Sequence, residues 1–559
     1  MTTTLHQLLI QAAAAHPDRP AVSSASGELT YRELGDHAMR LAGALVEHGI
    51  KPGDRVAIAL PKDVSLPIAI FGTLLAGGAY VPIDYLSPPA RAHVIAVDAE
   101  PVAVISDWRR MRGIVSGDAA PAHDGQNGPN GPNGPNGPRD NAAALHWLGP
   151  GWFDREQPPA RRPASTSLPA LARDQPRSPA ELPSVPSSAL AYILYTSGST
   201  GQPKGVAHTH ASALAFVRWA AETVGLQETD VVSQHASPSF DLSVFDFFGA
   251  ALAAARLALV PASTFGRVAS LCRFIVSAGV TAWYSVPSAL LRESAAESLT
   301  VLKDSALRQV IFAGEEIPVG PLRTLWQNLP PSCRVANWYG PTETNVCTFH
   351  DLTALDVEGA EPIPIGMPCP YAATSLVEGE LLVAGGSLMS EYWKRPDATA
   401  QKLSAGPDGH TYYATGDLVS RDDARGFTFL GRADRQLKVR GFRVQPEEVE
   451  HALERLAEID EAAVVKHHKG EAEVLAAVVR PAGEETLDHD AVIRHCARLL
   501  PSYMVPDVVL PVAELPRGSR GKADYDAVLG LLESSAPTSS GEAAVVSNPK
   551  SARSSVLAQ

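Results

Sequence analysis

Residues 195–206 read YTSGSTGQPKGV, and eight of these twelve residues are Gly, Ser, Thr or Lys. Backbone N–H groups and hydroxyls in such a stretch can converge on phosphate oxygens, and Lys204 adds a positive charge. The order differs from the Walker A pattern, GxxxxGK followed by Ser or Thr, so the stretch does not indicate a P-loop helix. A flexible turn has the same composition. Taken alone, the stretch leaves phosphate binding and an ordinary turn as alternatives.

Apolar runs on both sides of this stretch alternate with amphipathic helical patterns. Runs that predict buried strands lie at 54–60, 102–107, 257–261, 282–287 and 308–314, and a helix is predicted from residue 65. Such alternation predicts an α/β fold with layered sheets and parallel strands. After about Arg432 the pattern restarts, with a helix at 445–457, strands at 461–468 and 473–481, and a helix at 488–501. This second part predicts a small α+β unit.

The chain of 559 residues is longer than one domain of about 100–200 residues, so at least two domains are expected. We predict a large N-terminal core at 1–433 and a smaller C-terminal domain at 434–533. Residues 115–188 form a low-complexity insertion, which contains the repeat NGPNGPNGPNGP at 127–138 and is expected to be disordered. Residues 534–559 are expected to form a disordered tail.

Charge and cysteine content exclude several functional classes. The net charge is −14, from 47 basic and 61 acidic residues, and no basic run is present, which argues against nucleic acid or an anionic membrane as partner. The N-terminus has no basic start before its short apolar stretch, and the most apolar segments contain Gly and Pro. We therefore expect no membrane span and a cytoplasmic location. The five cysteines form no CxxC pair, so neither a zinc site nor a disulfide framework is indicated.

Several further strings accompany the Gly- and Ser-rich stretch in a defined order along the chain. They are LTYRELGDHAMRLAGAL (29–45), LLAGGAYVPID (74–84), FDLSVFDFFGAAL (240–252), NWYGPTETNVC (337–347), GELLVAGGSLMSEYW (379–393), YATGDL (413–418), FLGRADRQLKVRGFRVQPEEVE (429–450), LPSYMVP (500–506) and LPRGSRGK (515–522). Together they resemble the adenylate-forming enzymes, a superfamily of acyl-CoA synthetases, luciferases and adenylation domains of nonribosomal peptide synthetases. The amino-acid adenylation domains are the most similar branch. The resemblance covers nearly all of the chain outside the insertion and the tail.

The resemblance implies that a carboxylate attacks the α-phosphate of ATP in the presence of Mg²⁺. Because this attack brings anions together, charge neutralisation and alignment dominate its catalysis. The residues implied to hold the triphosphate are Thr196, Ser197, Gly198, Ser199, Thr200, Gly201 and Lys204. Glu343 would bind Mg²⁺, which prefers one or two carboxylates and phosphate oxygens. Thr342 would contact the α-phosphate.

For the nucleoside, the resemblance implies that Tyr339 stacks on adenine and that Asp417, with Arg432 beside it, accepts the ribose hydroxyls. Lys522 would bridge the substrate carboxylate and phosphate oxygens. Each residue also has a reading without function: Asp417 and Arg432 as a surface pair, Glu343 as a helix cap, and Lys522 as a solvated charge. Their place inside matching strings favours the functional reading.

The second half-reaction implied by the resemblance brings a phosphopantetheine thiol to the carbonyl that Lys522 contacts, so the C-terminal domain is expected to rotate. Asp434 matches the hinge position of the family, although an ordinary linker aspartate is the alternative. His235 matches the position that gates the two ends of the substrate site, and Gly441 would approach the pantetheine tunnel. No string typical of a condensation or carrier domain is present, which predicts action on a separate carrier protein.

Asp241 is the residue that favours an amino acid as substrate. In the resembled amino-acid adenylation domains this aspartate pairs with the substrate α-ammonium, and a buried ammonium needs such a partner. The alternative is a helix N-cap, and selectivity for β-amino acids remains open. The implied pocket residues are Asp241, Leu242, Phe245, Tyr284, Ile311, Ala313, Trp338, Val346, Cys347 and Lys522.

No charged group other than Asp241 and Lys522 belongs to this set, and its aromatic side chains reduce the cavity, so a small apolar amino acid is predicted. The set is similar to that of ligases that load proline, except for Trp338, where a smaller aliphatic residue is usual. Proline is therefore the first expectation, with alanine, glycine and serine next. Two other functions compete with this one. An acyl-CoA ligase would use CoA as acceptor, and a non-catalytic binding protein would lack residues such as Lys522, Glu343 or Asp417, all of which are present.

Overall fold

A computed structural model of the chain describes residues 4–107, 110–111, 113–114, 144–147, 165–167, 181–198, 201–291, 295–359, 362–469, 472–483, 487–517 and 523–535. The fold is mixed α/β, with a large N-terminal part and a smaller C-terminal part, as the sequence predicts. No helix in these ranges is long and apolar enough to cross a membrane.

Two large sheets organise the N-terminal part. The first contains, in spatial order, β16 (Met367–Pro368), β15 (Thr348–Asp351), β14 (Arg334–Tyr339), β13 (Gln309–Ala313), β12 (Ala282–Ser285), β10 (Val231–Gln234), β11 (Arg256–Leu259), β1 (Pro20–Ser24) and β2 (Gly27–Thr30). The second contains β19 (Glu391–Tyr392), β9 (Lys204–Thr209), β8 (Leu190–Thr196), β4 (Ala79–Pro82), β3 (Arg55–Ala59), β5 (Ala103–Ser106), β6 (Ala144–Trp147) and β7 (Ser165–Ser167). The central strands of both sheets run parallel, and antiparallel strands extend their edges.

Helices accompany these sheets. They are α1 (Leu5–Ala15), α2 (Tyr31–Glu47), α3 (Ser65–Leu75), α4 (Pro89–Ala99), α5 (His210–Val224), α6 (Leu242–Ala253), α7 (Val268–Ser277), α8 (Ala296–Leu299), α9 (Val319–Gln327), α10 (Ala354–Glu358) and α11 (Pro396–Lys402). Side chains of α1, α2, α3, α5 and α6 share one buried core with strands of both sheets. In that core Phe71 of α3 meets Phe248 of α6 edge to face, with ring centroids 5.5 Å apart.

A third, antiparallel sheet precedes the C-terminal part. It contains β17 (Ala372–Val377), β18 (Glu380–Gly385), β20 (Leu403–Ala405), β21 (Thr411–Asp422) and β22 (Gly426–Arg432). The C-terminal part begins with the hairpin β23 (Leu437–Val439) and β24 (Phe442–Val444), and continues with the sheet of β25 (Ile459–Lys469), β26 (Ala472–Pro481) and β27 (Val508–Pro511). Its helices are α12 (Pro446–Leu453), α13 (His489–Leu499) and α14 (Tyr525–Ser534).

The strands and helices predicted from apolar runs are confirmed within one to four residues at their ends. They are found because each contains a continuous apolar run or an apolar helix face that becomes buried. Cap residues sharpen two helix boundaries. Thr30 and Glu33 form a capping box at the start of α2, and α5 ends at Gly225, whose φ of 63° is left-handed.

The segment 115–188 differs in part from the expected disorder. Strand β6 pairs with β5, and β7 pairs with β6, both antiparallel, so the insertion lengthens the second sheet at its edge. An edge strand offers unpaired backbone groups that such additions can satisfy. The repeat at 127–138 and residues 536–559 lie outside the described residues.

Candidate active site

A cavity of about 90 Å³ lies between the N-terminal sheets and the β23–β24 hairpin. Its walls come from the end of β8, the start of α6, the ends of β12 and β13, the segment 340–346, and the hairpin. Most of these are carboxyl ends of parallel strands or the loops that follow them, where open α/β sheets bind ligands.

The Gly- and Ser-rich stretch is the tight turn between β8 and β9, with Thr196 opposite Lys204. At Gly198 a Cβ would lie 2.0 Å from the carbonyl oxygen of Gln202, and Gly201 has a φ of +73°. Both positions therefore need glycine. The Ser197 hydroxyl donates to the Arg443 carbonyl at 2.9 Å. Ser199 and Thr200 lie outside the described residues.

The carboxylate of Glu343 is fully buried, and basic side chains surround it. Arg443 of β24 donates to its Oε2 at 2.7 Å, Tyr392 donates to Oε1 at 2.5 Å, and the Lys204 ammonium lies 3.9 Å from Oε1. Burial alone would raise the pKa of Glu343, but Arg443 and Lys204 lower it below its usual value. Burial lowers the pKa of Lys204 to about 8, against the opposing effect of Glu343. Glu343 is thus an ionised carboxylate inside the cleft rather than a helix cap.

Asp417 and Arg432 are partners across β21 and β22, and they form an ion pair in which Asp417 is 2% exposed. They are therefore not a surface pair. The Tyr339 hydroxyl donates to the second oxygen of Asp417, which brings together the three residues expected at the nucleoside. The Lys438 ammonium of β23 lies 5.3 Å from the centre of the Tyr339 ring. In this conformation the Lys438 side chain, which belongs to the C-terminal part, thus covers part of the Tyr339 ring face on which adenine was expected to stack.

Asp241 lies at the first turn of α6 and lines the cavity, but its side chain makes no capping hydrogen bond. Burial raises the pKa of the Asp241 carboxyl to about 6, and a hydrogen bond from the Thr342 side chain opposes the rise. Thr342 lines the same cavity. A carboxylate that is partly desolvated and poorly neutralised by the protein is suited to a cationic ligand group.

The predicted pocket residues fall into two layers. Those that line the cavity are Asp241, Leu242, Tyr284, Ala313 and Val346, whereas Phe245, Ile311, Trp338 and Cys347 are buried behind them.

The aromatic members pack edge to face. The ring centroids of Tyr284 and Trp338 are 5.2 Å apart, and those of Phe245 and Trp338 are 5.8 Å apart. Trp219 approaches Trp338 to 4.9 Å from the other side. Lys522 lies outside the described residues.

His235 lies at the end of β10, with Nδ1 2.6 Å from the Ser285 hydroxyl and its ring stacked against the half-exposed Phe265. The Lys62 ammonium donates to the His235 carbonyl. Burial, together with Lys62, lowers the pKa of His235 to about 3, so the ring is neutral near pH 7. His235 therefore does not change its charge near neutral pH.

Asp434 lies in the short link between β22 and β23, where it accepts two hydrogen bonds from Arg432, at 2.6 and 2.8 Å. Beyond it, Gly441 at the hairpin turn has a φ of +80°, and a Cβ there would lie 2.5 Å from Val286. The hairpin tip thus packs tightly against the end of β12. Phe442 stacks on Tyr503 at 4.0 Å and meets Phe240, the residue before Asp241, at 5.2 Å.

Several residues of this site were not predicted from the sequence. Arg443 and Lys438 lie in the string at 429–450 and Tyr392 in the string at 379–393, so each was inside a recognised motif. Asp246 is fully buried on α6 with neither carboxylate oxygen bonded to a described residue. Which groups Arg443 and Lys438 meet depends on how the hairpin docks, and that information is not local in the sequence.

Comparison with known proteins identifies the family. Residues 9–393 match the family described as AMP-binding enzyme, and residues 448–522 match the AMP-binding enzyme C-terminal domain. An L-proline--[L-prolyl-carrier protein] ligase of Streptomyces coelicolor is 36% identical over 94% of this chain and 96% of its own length. A protein of the same name from Pseudomonas fluorescens is 34% identical over 95% and 99%.

Among solved structures, the Vibrio cholerae adenylation domain AlmE in complex with glycyl-adenosine-5'-phosphate superposes with a TM-score of 0.73 at 24% identity. The alignment covers 96% of this chain and 98% of the AlmE chain, and the similarity supports the fold. With a family match over most of the chain, and relatives above 30% identity along nearly all of it, this chain belongs to the AMP-binding enzyme family.

Proposed function

We propose that this chain is an amino-acid adenylating ligase. The substrate carboxylate attacks the α-phosphorus of ATP, forming aminoacyl-AMP as pyrophosphate leaves. The thiol of a phosphopantetheine arm on a separate carrier protein then attacks the acyl carbon, and AMP leaves. The observation that carries the amino-acid assignment is Asp241, which faces a compact cavity, makes no capping bond and has a raised pKa. The two carrier-protein ligases of 36% and 34% identity support the acceptor.

The proposed substrate is a small apolar amino acid, with proline first and alanine, glycine or serine next. Asp241 would accept the α-ammonium, and the packed rings of Tyr284 and Trp338 would limit the size of the substrate side chain. Among the projected pocket residues in the described ranges, Asp241 is the single charged one, which disfavours acidic and basic side chains. The names of the two ligases favour proline, whereas Trp338 reduces the available volume. Leu242, Tyr284, Ala313 and Val346 would contact the side chain, with Phe245, Ile311, Trp338 and Cys347 behind.

ATP would lie with its phosphates on the turn at 196–204 and its nucleoside at Tyr339, Asp417 and Arg432. Glu343 fits Mg²⁺ in chemistry, because the surrounding cations keep it ionised. Both of its oxygens contact protein side chains, so a metal ion at Glu343 requires Arg443 to withdraw. When bound, Mg²⁺ supplies positive charge that neutralises the phosphates. Lys204 and Thr342 would hold phosphate oxygens, and Lys522 would bridge them to the substrate carboxylate.

The docked hairpin motivates a proposal of domain rotation. In the conformation seen here Arg443 pairs with Glu343, and the Lys438 ammonium lies over the Tyr339 ring. Side chains of the C-terminal part thus partly fill the proposed nucleotide site. Adenylation would require residues 434–533 to turn about Asp434, which would bring Lys522 into the site. The docked position would then serve thiol transfer, with Gly441 and the neutral ring of His235 beside the incoming pantetheine.

Amino-acid-dependent ATP–pyrophosphate exchange tests the first half-reaction. We expect exchange with proline or another small amino acid, strongly reduced in Asp241→Asn. Mass spectrometry of candidate carrier proteins after incubation with ATP and that amino acid tests the second half-reaction. Exchange driven only by fatty or aryl acids would contradict the amino-acid assignment. Transfer to CoA instead of any carrier protein would favour the acyl-CoA ligase alternative.

A further inference from the structure

His208 on β9 is fully buried behind the segment 340–346, and neither half-reaction described above uses it. Its Nε2 lies 2.9 Å from the carbonyl oxygen of Thr342, and its Nδ1 lies 3.1 Å from the Ser212 hydroxyl. The ring stacks on Tyr192, its cross-strand partner on β8, with centroids 5.1 Å apart. Three separate contacts thus hold this ring in one orientation.

The contacts of His208 also determine which nitrogen carries the proton. A carbonyl oxygen only accepts hydrogen bonds, so Nε2 must be the donor to Thr342. In the neutral ring Nδ1 then accepts from the Ser212 hydroxyl. Burial lowers the pKa of His208 to about 4, which agrees with a neutral ring. His208 therefore gives its single N–H to the main chain of the segment 340–346.

Thr342 connects this hydrogen bond to substrate recognition. Thr342 and Asp241 line the same cavity, and the Thr342 side chain lies near enough to Asp241 to lower the pKa of that carboxyl. The next residue in the chain is Glu343. The three residues 340–342 line the cavity, so the path of the main chain here decides where the Thr342 hydroxyl lies. A fixed hydroxyl leaves the Asp241 carboxylate one orientation towards the cavity.

We propose that His208 is a positioning residue for amino-acid recognition. Its Nε2–H fixes the Thr342 main chain, so that the Thr342 side chain holds the Asp241 carboxylate towards the substrate ammonium. This inference rests on the proposed function, because it concerns the same Asp241. It predicts that loss of the His208 donor raises the amino-acid KM more than the KM for ATP, since Thr342 would be one of several phosphate contacts, whereas Asp241 would be the partner of the substrate ammonium.

Two substitutions that differ in where they place a donor test the role of His208. His208→Gln puts an amide N–H at about the reach of Nε2, whereas His208→Asn reaches only as far as Nδ1. In pyrophosphate exchange with the best substrate among proline, alanine, glycine and serine, we expect the asparagine variant to raise the amino-acid KM about tenfold. The glutamine variant should stay within about threefold of wild type, and the KM for ATP should change less than threefold in both.

Equal amino-acid KM values in the two variants, or a parallel rise in the KM for ATP, would overturn the positioning role. Thermal unfolding is measured alongside, and His208→Met supplies a second variant without a donor that fills the buried space if His208→Asn does not fold. It should show the same selective rise. Absence of amino-acid-dependent exchange in the wild type contradicts the proposed function and this inference with it. Exchange in the wild type with no difference between variants contradicts the inference alone.

Discussion

The proposed amino-acid pocket and the proposed nucleotide site share one cleft but are built in opposite ways. The pocket consists of buried aromatic side chains from the N-terminal part, such as Phe245, Tyr284 and Trp338. The nucleotide site is lined by charged pairs, and its Glu343–Arg443 pair joins the N-terminal part to the hairpin. Packed aromatic rings resist rearrangement, whereas an ion pair exchanges one partner for another. The pocket is thus preformed, and the nucleotide site is suited to change with the position of the C-terminal part.

This contrast indicates where each kind of specificity resides. Shape and one carboxylate, Asp241, define the pocket, so selectivity for the amino acid depends on fixed volume. The charged groups of the proposed nucleotide site, such as Glu343 and Asp417, are paired with protein side chains in the docked conformation. Substitutions in the pocket should therefore change which substrate is used. Substitutions at the hairpin should change the balance between the two half-reactions.

The largest expected effect is that of Asp241→Asn. A substrate ammonium left without its carboxylate costs roughly 3–5 kcal/mol, so kcat/KM for the amino acid should fall by about 10²–10⁴-fold. Pyrophosphate exchange measures this loss. The matched control is Asp246→Asn on the same helix. Burial raises the pKa of Asp246 well above its usual value, so a neutral amide replaces a neutral acid. Equal losses in both variants would show that the effect comes from the helix rather than from the ammonium contact.

Trp338→Leu should have the next largest effect. Removing part of a buried ring enlarges the pocket, and one methylene in an apolar pocket discriminates substrates by about 10–200-fold. We expect proline or a larger aliphatic amino acid to gain in kcat/KM relative to glycine and alanine. The unfolding free energy should fall by roughly 2–4 kcal/mol because of the cavity. Trp326→Leu, in the separate core around β13, controls for the loss of an indole. The order of preference among amino acids in the exchange assay should not change in that control.

Most of the fold could be predicted from the sequence because its signals are local, and the resemblance of the ordered strings named residues such as Asp241 and Asp417 that line the cavity. The strand that contains Tyr284 and the helix that starts after Asp241 appear as apolar runs, and the glycines at 198 and 201 are required by steric contacts or backbone conformation between β8 and β9. The partners of those residues could not be predicted. Arg443 meets Glu343 across a hundred residues, and His208 meets Thr342 across 134 residues, so only the folded chain shows these contacts. The two edge strands within 115–188 were missed because their short segments are surrounded by low-complexity sequence.

Arg443→Met tests the exchange of partners at Glu343. Without the guanidinium the docked hairpin loses a buried ion pair, while Glu343 becomes free for a metal ion. We expect the KM for ATP to fall by several-fold and carrier-protein loading to slow by about tenfold, a buried charge-assisted hydrogen bond being worth about 1.5–3 kcal/mol. The control is Arg440→Met in the same hairpin, which pairs with Asp507 of the C-terminal part itself. A rise in the KM for ATP in Arg443→Met would contradict the competition between Arg443 and the metal ion.

The smallest expected effect is the pH dependence of amino-acid use. The pKa of Asp241 is about 6 in the free protein, and only the ionised form pairs with an ammonium. Above pH 7 kcat/KM for the amino acid should be level, and it should fall about tenfold from pH 7 to pH 5 as the carboxylate is protonated. Asp241→Asn should lose this part of the profile.

The contribution of the Asp241 carboxyl to the unfolding free energy should depend on pH in the opposite direction. Because the folded protein holds the Asp241 proton more tightly than the unfolded chain does, this group adds stability as the pH falls from about 6 towards 4. The difference in unfolding free energy between wild type and Asp241→Asn should therefore shift in favour of the wild type over that range. If kcat/KM of the wild type for the amino acid stays level down to pH 5, the Asp241 carboxylate is already ionised there. Protein groups would then neutralise Asp241 in the preformed pocket as well as they neutralise the carboxylates of the nucleotide site.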